Sequence, residues 1–106
     1  MSDLTFTFHE PGCKAVFRKH AAQREDIEAA IKRTITAQFD TDFAKTKLAS
    51  RKTFEGHKVY ECRVNVGKLP ALRVAFTLAD GTVTVVYLTH NIQKSDFSHE
   101  IEAFLK

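Results

Sequence analysis

Residues 72–89 read LRVAFTLADGTVTVVYLT, two runs of alternating apolar and polar residues on either side of Asp80-Gly81. Alternation with a period of two is typical of strands that bury one face. An Asp-Gly pair between two such runs favours a two-residue hairpin turn, because both central residues of that turn need a positive φ. The sequence therefore predicts an antiparallel β-hairpin in which Ala79 pairs with Thr82.

This turn also predicts which residues share a face of the sheet. Counted back from the turn, Arg73 pairs with Leu88 and Ala71 pairs with His90. Ala71, the partner of His90, lies two positions from Arg73 on the same strand. Residues related in this way are diagonal neighbours on one side of the pleat. We therefore expect Arg73 and His90 to be diagonal neighbours, with Leu72 and the other apolar residues of its strand on the opposite side.

A third alternating run, residues 58–66, precedes these strands and is joined to them by residues 67–70. If its apolar residues align with those of the next strand, Arg63 lies opposite Arg73. Like charges directly across an antiparallel pair are unfavourable unless an anion lies between them or solvent separates them. The sequence therefore predicts a phosphate-sized anion site on this face. The alternative is that the arginines only solubilise the sheet while their stems cover apolar surface.

Basic charge is concentrated between Lys45 and Arg73, where eight basic and two acidic residues leave a net charge of +6. The whole chain carries only +3, so the rest of it is net acidic. Concentrated basic charge, with a pI near 9.0, indicates a polyanion partner, and an acidic protein would serve equally.

The 106 residues, 43% of them hydrophobic, are expected to form a single domain, residues 1–106. The first residues lack a secretory signal, and no apolar run approaches the ~18 residues that span a bilayer. We therefore expect a cytoplasmic protein without a membrane partner. Cys13 and Cys62 fall on apolar positions of different elements, which favours buried, reduced side chains over a disulfide. The five histidines show no metal-ligand spacing, so no metal and no cofactor are predicted.

The remaining elements are assigned from apolar spacing and from Gly, Pro and capping residues. They are a strand over residues 4–9, a helix from 11 to near 20, a helix from about 24 to 39, and a C-terminal helix capped by Ser95 or Asp96. Residues 40–52 are left open between a final helical turn and a loop. The order β-α-α-β-β-β-α predicts a two-layer α+β fold, an antiparallel sheet packed on an N-terminal helical hairpin with the helices on one side.

Three runs in the C-terminal half, residues 60–64, 72–76 and 80–88, are followed by His90 and Lys94. This pattern resembles the RelE/ParE superfamily of toxins, in which two arginine-bearing strands, an acidic-glycine hairpin and a valine-rich strand lead into a basic cluster. The N-terminal half agrees only in the order of its elements. The resemblance implies the toxin of a type II toxin-antitoxin system, with the polar sheet face as the active concavity and a disordered segment of the cognate antitoxin as partner.

Carried onto this sequence, the resemblance places Arg63 and Arg73 at the arginine positions of the two strands. Lys94 stands near a position often occupied by arginine, and Phe97 stands where some members have a tyrosine that stacks on a base. Leu72 departs from the pattern, because an aromatic residue commonly precedes the strand arginine.

RNA cleavage of this kind needs few groups, because the ribose 2′-hydroxyl attacks the adjacent phosphate. Guanidinium groups stay charged and bind phosphate oxygens bidentately, so Arg63 and Arg73 are predicted to stabilise the transition state. A histidine ordinarily titrates near neutrality, so His90 is the candidate general acid or base, with Glu61 as the alternative base. A strand-end histidine that caps a turn is the structural alternative for His90.

Lys52, Lys58 and Lys94 are the predicted contacts to the RNA backbone, with Phe97 stacking on a base; solvated surface charge is the alternative for the lysines. Three functions stay open. The first is a metal-independent mRNA endoribonuclease that acts on the ribosome and inhibits translation. The second is a toxin of the same fold that inhibits DNA gyrase, and the third is a non-toxic basic binding module.

Overall fold

A computed structural model describes residues 4–40, 47–90 and 94–105. Its elements are β1 (Thr5–Phe8), α1 (Glu10–Lys19), a 3-10 turn (Ala21–Gln23), α2 (Arg24–Asp40), β2 (Lys47–Phe54), β3 (His57–Val64), β4 (Leu72–Ala79), β5 (Thr82–Thr89) and α3 (Lys94–Phe104). The fold is α+β, as predicted. Within those ranges no helix is long and apolar enough to cross a membrane.

The strands of the described ranges form one mixed sheet in the order β1-β5-β4-β3-β2. The neighbours from β2 to β5 are antiparallel, whereas β1 runs parallel to β5, with Thr5 opposite Thr82 and Phe8 opposite Val85. The prediction of an antiparallel sheet is therefore wrong at this edge. Parallel neighbours need a long crossover connection, which the chain between β1 and β5 supplies.

Strand β2 is an element that the sequence analysis does not predict. It occupies part of the region left open between a helical turn and a loop, whose residues 41–46 lie outside the described ranges. The register of β2 against β3 shifts between Leu48 and Thr53. An irregular edge strand has no regular period of two, which is why spacing alone misses it. The order of elements therefore gains one strand.

The hairpin face of the sheet, the side that α1 and α2 cover, carries the main core. Helical spacing predicts its helix residues correctly, and both cysteines are buried in it as expected. The core comprises Cys13, Val16, Phe17, Ile27, Ala30, Ile31 and Ile35 from the helices, Cys62, Val64, Leu72, Val74, Phe76, Val83, Val85 and Leu88 from the sheet, and Val66 from the loop after β3.

Helix α3 packs on the opposite side of the sheet, here called the α3 face. Phe97 and Ile101 are fully buried with Val59 and Ala75 in a separate apolar cluster. Ala75 follows Val74 of the main core along β4, and successive side chains of a strand point to opposite faces. The expectation of helices on one side is therefore wrong, because α3 covers part of the face opposite the helical hairpin.

The predicted turn between β4 and β5 is confirmed. Asp80 and Gly81 have φ values of 52° and 77°, the positive values that such a turn requires. Ala79 pairs with Thr82, as counted from the sequence.

The register shifts beyond this turn. Phe76 pairs with Val85, whereas Ala75 pairs with Tyr87, so Val86 is an extra residue in β5. Such a β-bulge places every later residue of its strand on the opposite face from the one that regular alternation predicts. The predicted faces are therefore correct up to Val85 and reversed from Tyr87 onwards.

Gly12 of α1 packs directly on this bulge. A Cβ atom at position 12 would lie 1.8 Å from the backbone oxygen of Val86 and 3.1 Å from the Phe104 ring. Only glycine permits so close an approach of helix and strand. The bulge is thus held by tertiary packing from a distant part of the chain.

Candidate functional site

The register between β3 and β4 places Arg63 directly opposite Arg73, as predicted. Glu61 lies two residues before Arg63 and therefore on the same side of the pleat, diagonal to Arg73. Glu61, Arg63 and Arg73, here called the arginine cluster, lie on the α3 face. The fold thus brings together both predicted arginines and one predicted carboxylate.

Arg73 and Glu61 form a largely buried ion pair. Arg73 Nη1 donates to Glu61 Oε1 at 2.6 Å, and the two side chains are 17% and 4% exposed. The Arg73 guanidinium also lies 5.6 Å from the centroid of the Phe97 ring, so α3 closes over it. Because a buried charge needs a partner, this pair holds Arg73 in one orientation. Arg73 is therefore far less accessible than an arginine on a solvent-facing sheet.

Arg63 is the exposed cation of the arginine cluster. Among the residues that the structure describes, its side chain makes no ion pair, unlike that of Arg73. A phosphate approaching this part of the sheet would meet Arg63 first.

A second polar group, not identified from the sequence, lies between β5 and α3. Tyr87 Oη donates to Glu100 Oε2, and Thr89 Oγ1 donates to Glu100 Oε1 at 3.3 Å. Burial raises the pKa of the Tyr87 phenol, and the Glu100 carboxylate raises it further. Four successive apolar residues, Val85 to Leu88, interrupt the alternation, and this interruption was the one sequence signal of a bulge.

His90 lies away from the arginine cluster. Arg73 pairs with Thr89, and the bulge turns His90 towards the hairpin face. There its Nε2 atom lies 2.9 Å from Nε2 of His20, at the end of α1. The prediction that Arg73 and His90 are diagonal neighbours is therefore wrong, because it assumed regular pairing throughout β5.

The predicted RNA contacts differ in accessibility. Lys52 and Lys58 are exposed, and Lys52 Nζ donates to the backbone oxygen of Glu102 at 3.1 Å. Phe97 is 0% exposed, so its predicted stacking on a base is corrected: it is a core residue of α3. Lys94 begins α3, but its side chain lies outside the described part of the chain.

Neither a metal centre nor a reactive thiol is evident in the described ranges. No group of three or more His, Cys, Asp or Glu side chains there could hold a metal ion. Burial raises the pKa of the Cys13 and Cys62 thiols to about 12, and the protonated thiol is a poor nucleophile. Both cysteines are therefore packing residues.

Searches of family models, curated proteins and solved structures found no match to this chain. The functional argument therefore depends on the arginine cluster and on the charge around it.

Proposed function

We propose that this chain is the toxin of a type II toxin-antitoxin system, similar to the RelE/ParE toxins, and that it cleaves mRNA in the cytoplasm. The observation that supports this best is the pairing of Arg63 with Arg73 across β3 and β4. Opposed like charges are unfavourable without an anion. Glu61 supplies that anion for Arg73, so the support for phosphate binding comes from Arg63, which is exposed and remains accessible to a phosphate of the RNA.

In this proposal the arginine cluster stabilises charge, while water accepts the proton of the attacking 2′-hydroxyl and supplies the proton to the leaving 5′-oxygen. Arg63 binds the scissile phosphate at the surface, and Arg73, which is 17% exposed, lies directly opposite it on β4. Preorganised cations lower the barrier where negative charge develops in the transition state. Glu61 is almost fully buried and bonded to Arg73, so its role is to position that arginine rather than to act as the general base.

A non-nuclease toxin of the same fold, such as an inhibitor of DNA gyrase, is the second candidate. The position of His90 favours it, because the bulge separates this expected proton carrier from both arginines. Recognition of a protein target needs the basic surface but no proton transfer. Both candidates therefore use the basic surface around Arg63, but only the nuclease also needs proton transfer.

The partner that we propose is an acidic antitoxin segment, disordered on its own, that binds along β2 and β3. Exposed Lys52 and Arg63, both on the α3 face, would pair with its carboxylates. Lys58 is also exposed, but it precedes Val59 of the α3 face and therefore points to the other side of β3. Association should slow as salt is raised, because screening weakens attraction between opposite charges. Binding that ignores both salt and Arg63→Glu would place the antitoxin on another surface.

Growth and RNA integrity test the leading candidate. The chain is expressed alone in a bacterial host, and primer extension maps an abundant transcript after brief induction. We expect growth arrest and new 5′ ends in the wild type, and neither with Arg63→Ala. Arg63 is exposed, so the substitution should change the free energy of unfolding by only about 0.5 kcal/mol. Arg18→Ala, an exposed position on α1, is the control and should behave as the wild type.

Other outcomes separate the alternatives. Growth arrest with intact transcripts and altered plasmid supercoiling would select the gyrase inhibitor. Unimpaired growth at high soluble expression would contradict both toxin functions and leave the basic binding module. Co-expression of a small acidic protein encoded next to this chain should relieve the arrest if either toxin function is correct.

A further inference from the structure

A cavity of about 330 Å³ lies between α2 and the loop that joins β3 to β4. Ala30 and Val66, both residues of the main core, are part of its apolar lining. Because the main core is on the hairpin face, this cavity belongs to the opposite side of the sheet from the arginine cluster. Ligand pockets commonly range from about 300 to 1,000 Å³, so its size suits one small molecule.

Four polar side chains line this cavity: Gln23, Asp26, Arg33 and Lys68. Asp26 and Arg33 are seven residues apart on α2 and so lie on one face of the helix, with Ala30 between them. Within the described ranges, neither salt bridge of the structure involves any of the four. Two cations, one carboxylate and one amide therefore converge on a space that has an apolar floor.

A pair of histidines links the two chain segments that flank the walls of the cavity. Nε2 of His20 lies 2.9 Å from Nε2 of His90, and Nδ1 of His90 lies 3.3 Å from the Ala71 oxygen. Because that oxygen can only accept, His90 donates from Nδ1, and its neutral Nε2 accepts the His20 Nε2 hydrogen. Gln23 N–H in turn donates to the His20 oxygen at 2.9 Å. This chain of hydrogen bonds links the 3-10 turn before α2 to the start of β4.

We propose that this cavity is a binding site for a nucleoside monophosphate, with guanosine monophosphate (GMP) preferred. Arg33 and Lys68 bind the phosphate, because cations are the groups that hold phosphate oxygens. The base lies on the apolar floor formed in part by Ala30. Asp26 accepts hydrogen bonds from the amino group and the ring N–H of guanine. Uracil has a ring N–H but no amino group, so it can donate only one of these two hydrogen bonds. The site is independent of the proposed RNA cleavage, since Arg63 lies on the other face.

Isothermal titration of the full chain with GMP, uridine monophosphate (UMP) and inorganic phosphate tests the proposal. We expect saturable binding of GMP with a Kd of roughly 10–500 μM and at least about tenfold weaker binding of UMP and of phosphate. Lys68→Glu and Arg33→Glu should each weaken GMP binding about tenfold or more, since a repulsive charge replaces an attractive one. Asp26→Asn should remove the preference for GMP over UMP.

Lys58→Glu is the control, because Lys58 is an exposed lysine of β3 that does not line the cavity. It should leave the affinity for GMP unchanged. His90→Ala should weaken binding of all three ligands in parallel, as expected for a residue that positions the walls. Circular dichroism of each variant confirms that it is folded, and amide chemical shifts at residues 29–33 and 67–69 give a second readout in the wild type.

The absence of saturable binding in the wild type, or equal loss of affinity with Lys58→Glu, would overturn the site. Phosphate binding as tight as GMP binding would overturn the assignment of a nucleotide. None of these results depends on growth arrest or RNA cleavage, so the two proposals can fail separately.

Discussion

The two faces of the sheet differ in how their side chains are held. The hairpin face is closed by α1 and α2 over a continuous apolar core. The α3 face combines a small apolar cluster around Phe97 with buried polar groups, among them Glu61, Thr77 and Thr89. Apolar contacts on the hairpin face have no preferred direction. Each buried polar group on the α3 face, in contrast, needs a hydrogen-bond partner at a particular position. Stability should therefore come mainly from the hairpin face, and specific polar recognition from the α3 face.

The largest expected effect is at the junction of α1 with the bulge. Inside a helix, Ala usually stabilises relative to Gly by up to about 1 kcal/mol. Gly12→Ala should instead destabilise by about 4 kcal/mol or more, because its Cβ would lie 1.8 Å from the Val86 oxygen. Chemical denaturation measures the change. Gly56→Ala, in a turn with open space around it, is the control and should cost about 1 kcal/mol, from its positive φ alone.

The second prediction compares one isoleucine from each face, both fully buried. Ile31→Ala should cost about 4 kcal/mol, because it opens a cavity in the continuous core. Ile101→Ala should cost about 2 kcal/mol in global unfolding, because α3 can detach while the hairpin face stays folded. Hydrogen exchange should show the amides of α3 opening first in Ile101→Ala. Equal losses, with exchange through global unfolding only, would show that the two faces form one cooperative unit.

The third prediction concerns the buried ion pair of the α3 face. Arg73→Ala should cost about 2 kcal/mol, less than the roughly 3–5 kcal/mol for breaking a fully buried pair, because Arg73 is 17% exposed. The double variant Glu61→Leu/Arg73→Met should recover most of this loss, because no unpaired charge is left buried. If the double variant were as unstable as Arg73→Ala, the contact of the guanidinium with Phe97, rather than its ion pair with Glu61, would be the source of the stability.

The smallest expected effect is the pH dependence of the His20 contact. Burial lowers the pKa of His20 from its usual value near 6.5, and nearby His90 and Lys19 lower it further. The unfolded chain therefore binds this proton more readily than the folded chain, so stability should fall as the pH drops below about 6.5. His20→Gln should flatten that slope in denaturation midpoints measured between about pH 7.5 and pH 5. An unchanged slope would mean that other groups cause the acid sensitivity.

Much of the fold follows from local patterns. The helical spacing of Ile27, Ile31 and Ile35 predicts the buried side of α2, and Asp80-Gly81 predicts the turn. The pairing of Arg63 with Arg73 follows from the same alternation. The strand β1 is predicted as well, but its parallel pairing with a strand distant in sequence is not, and β2 is missed because it is irregular. The candidate site was predicted in part. Its two arginines were correctly placed opposite each other, but His90 was placed on the wrong face of the sheet.

By itself, the sequence determined the turn, the apolar stripes of the helices and the register of β3 against β4, because these depend on residues close to one another along the chain. Only the tertiary structure decided which groups lie beside the arginines. Gly12 lets α1 approach the Val86 oxygen and accommodates the bulge, and that one extra residue turns His90 towards His20. A shift of one residue reverses the face of every later side chain in a strand, so a contact between distant segments outweighed the local pattern.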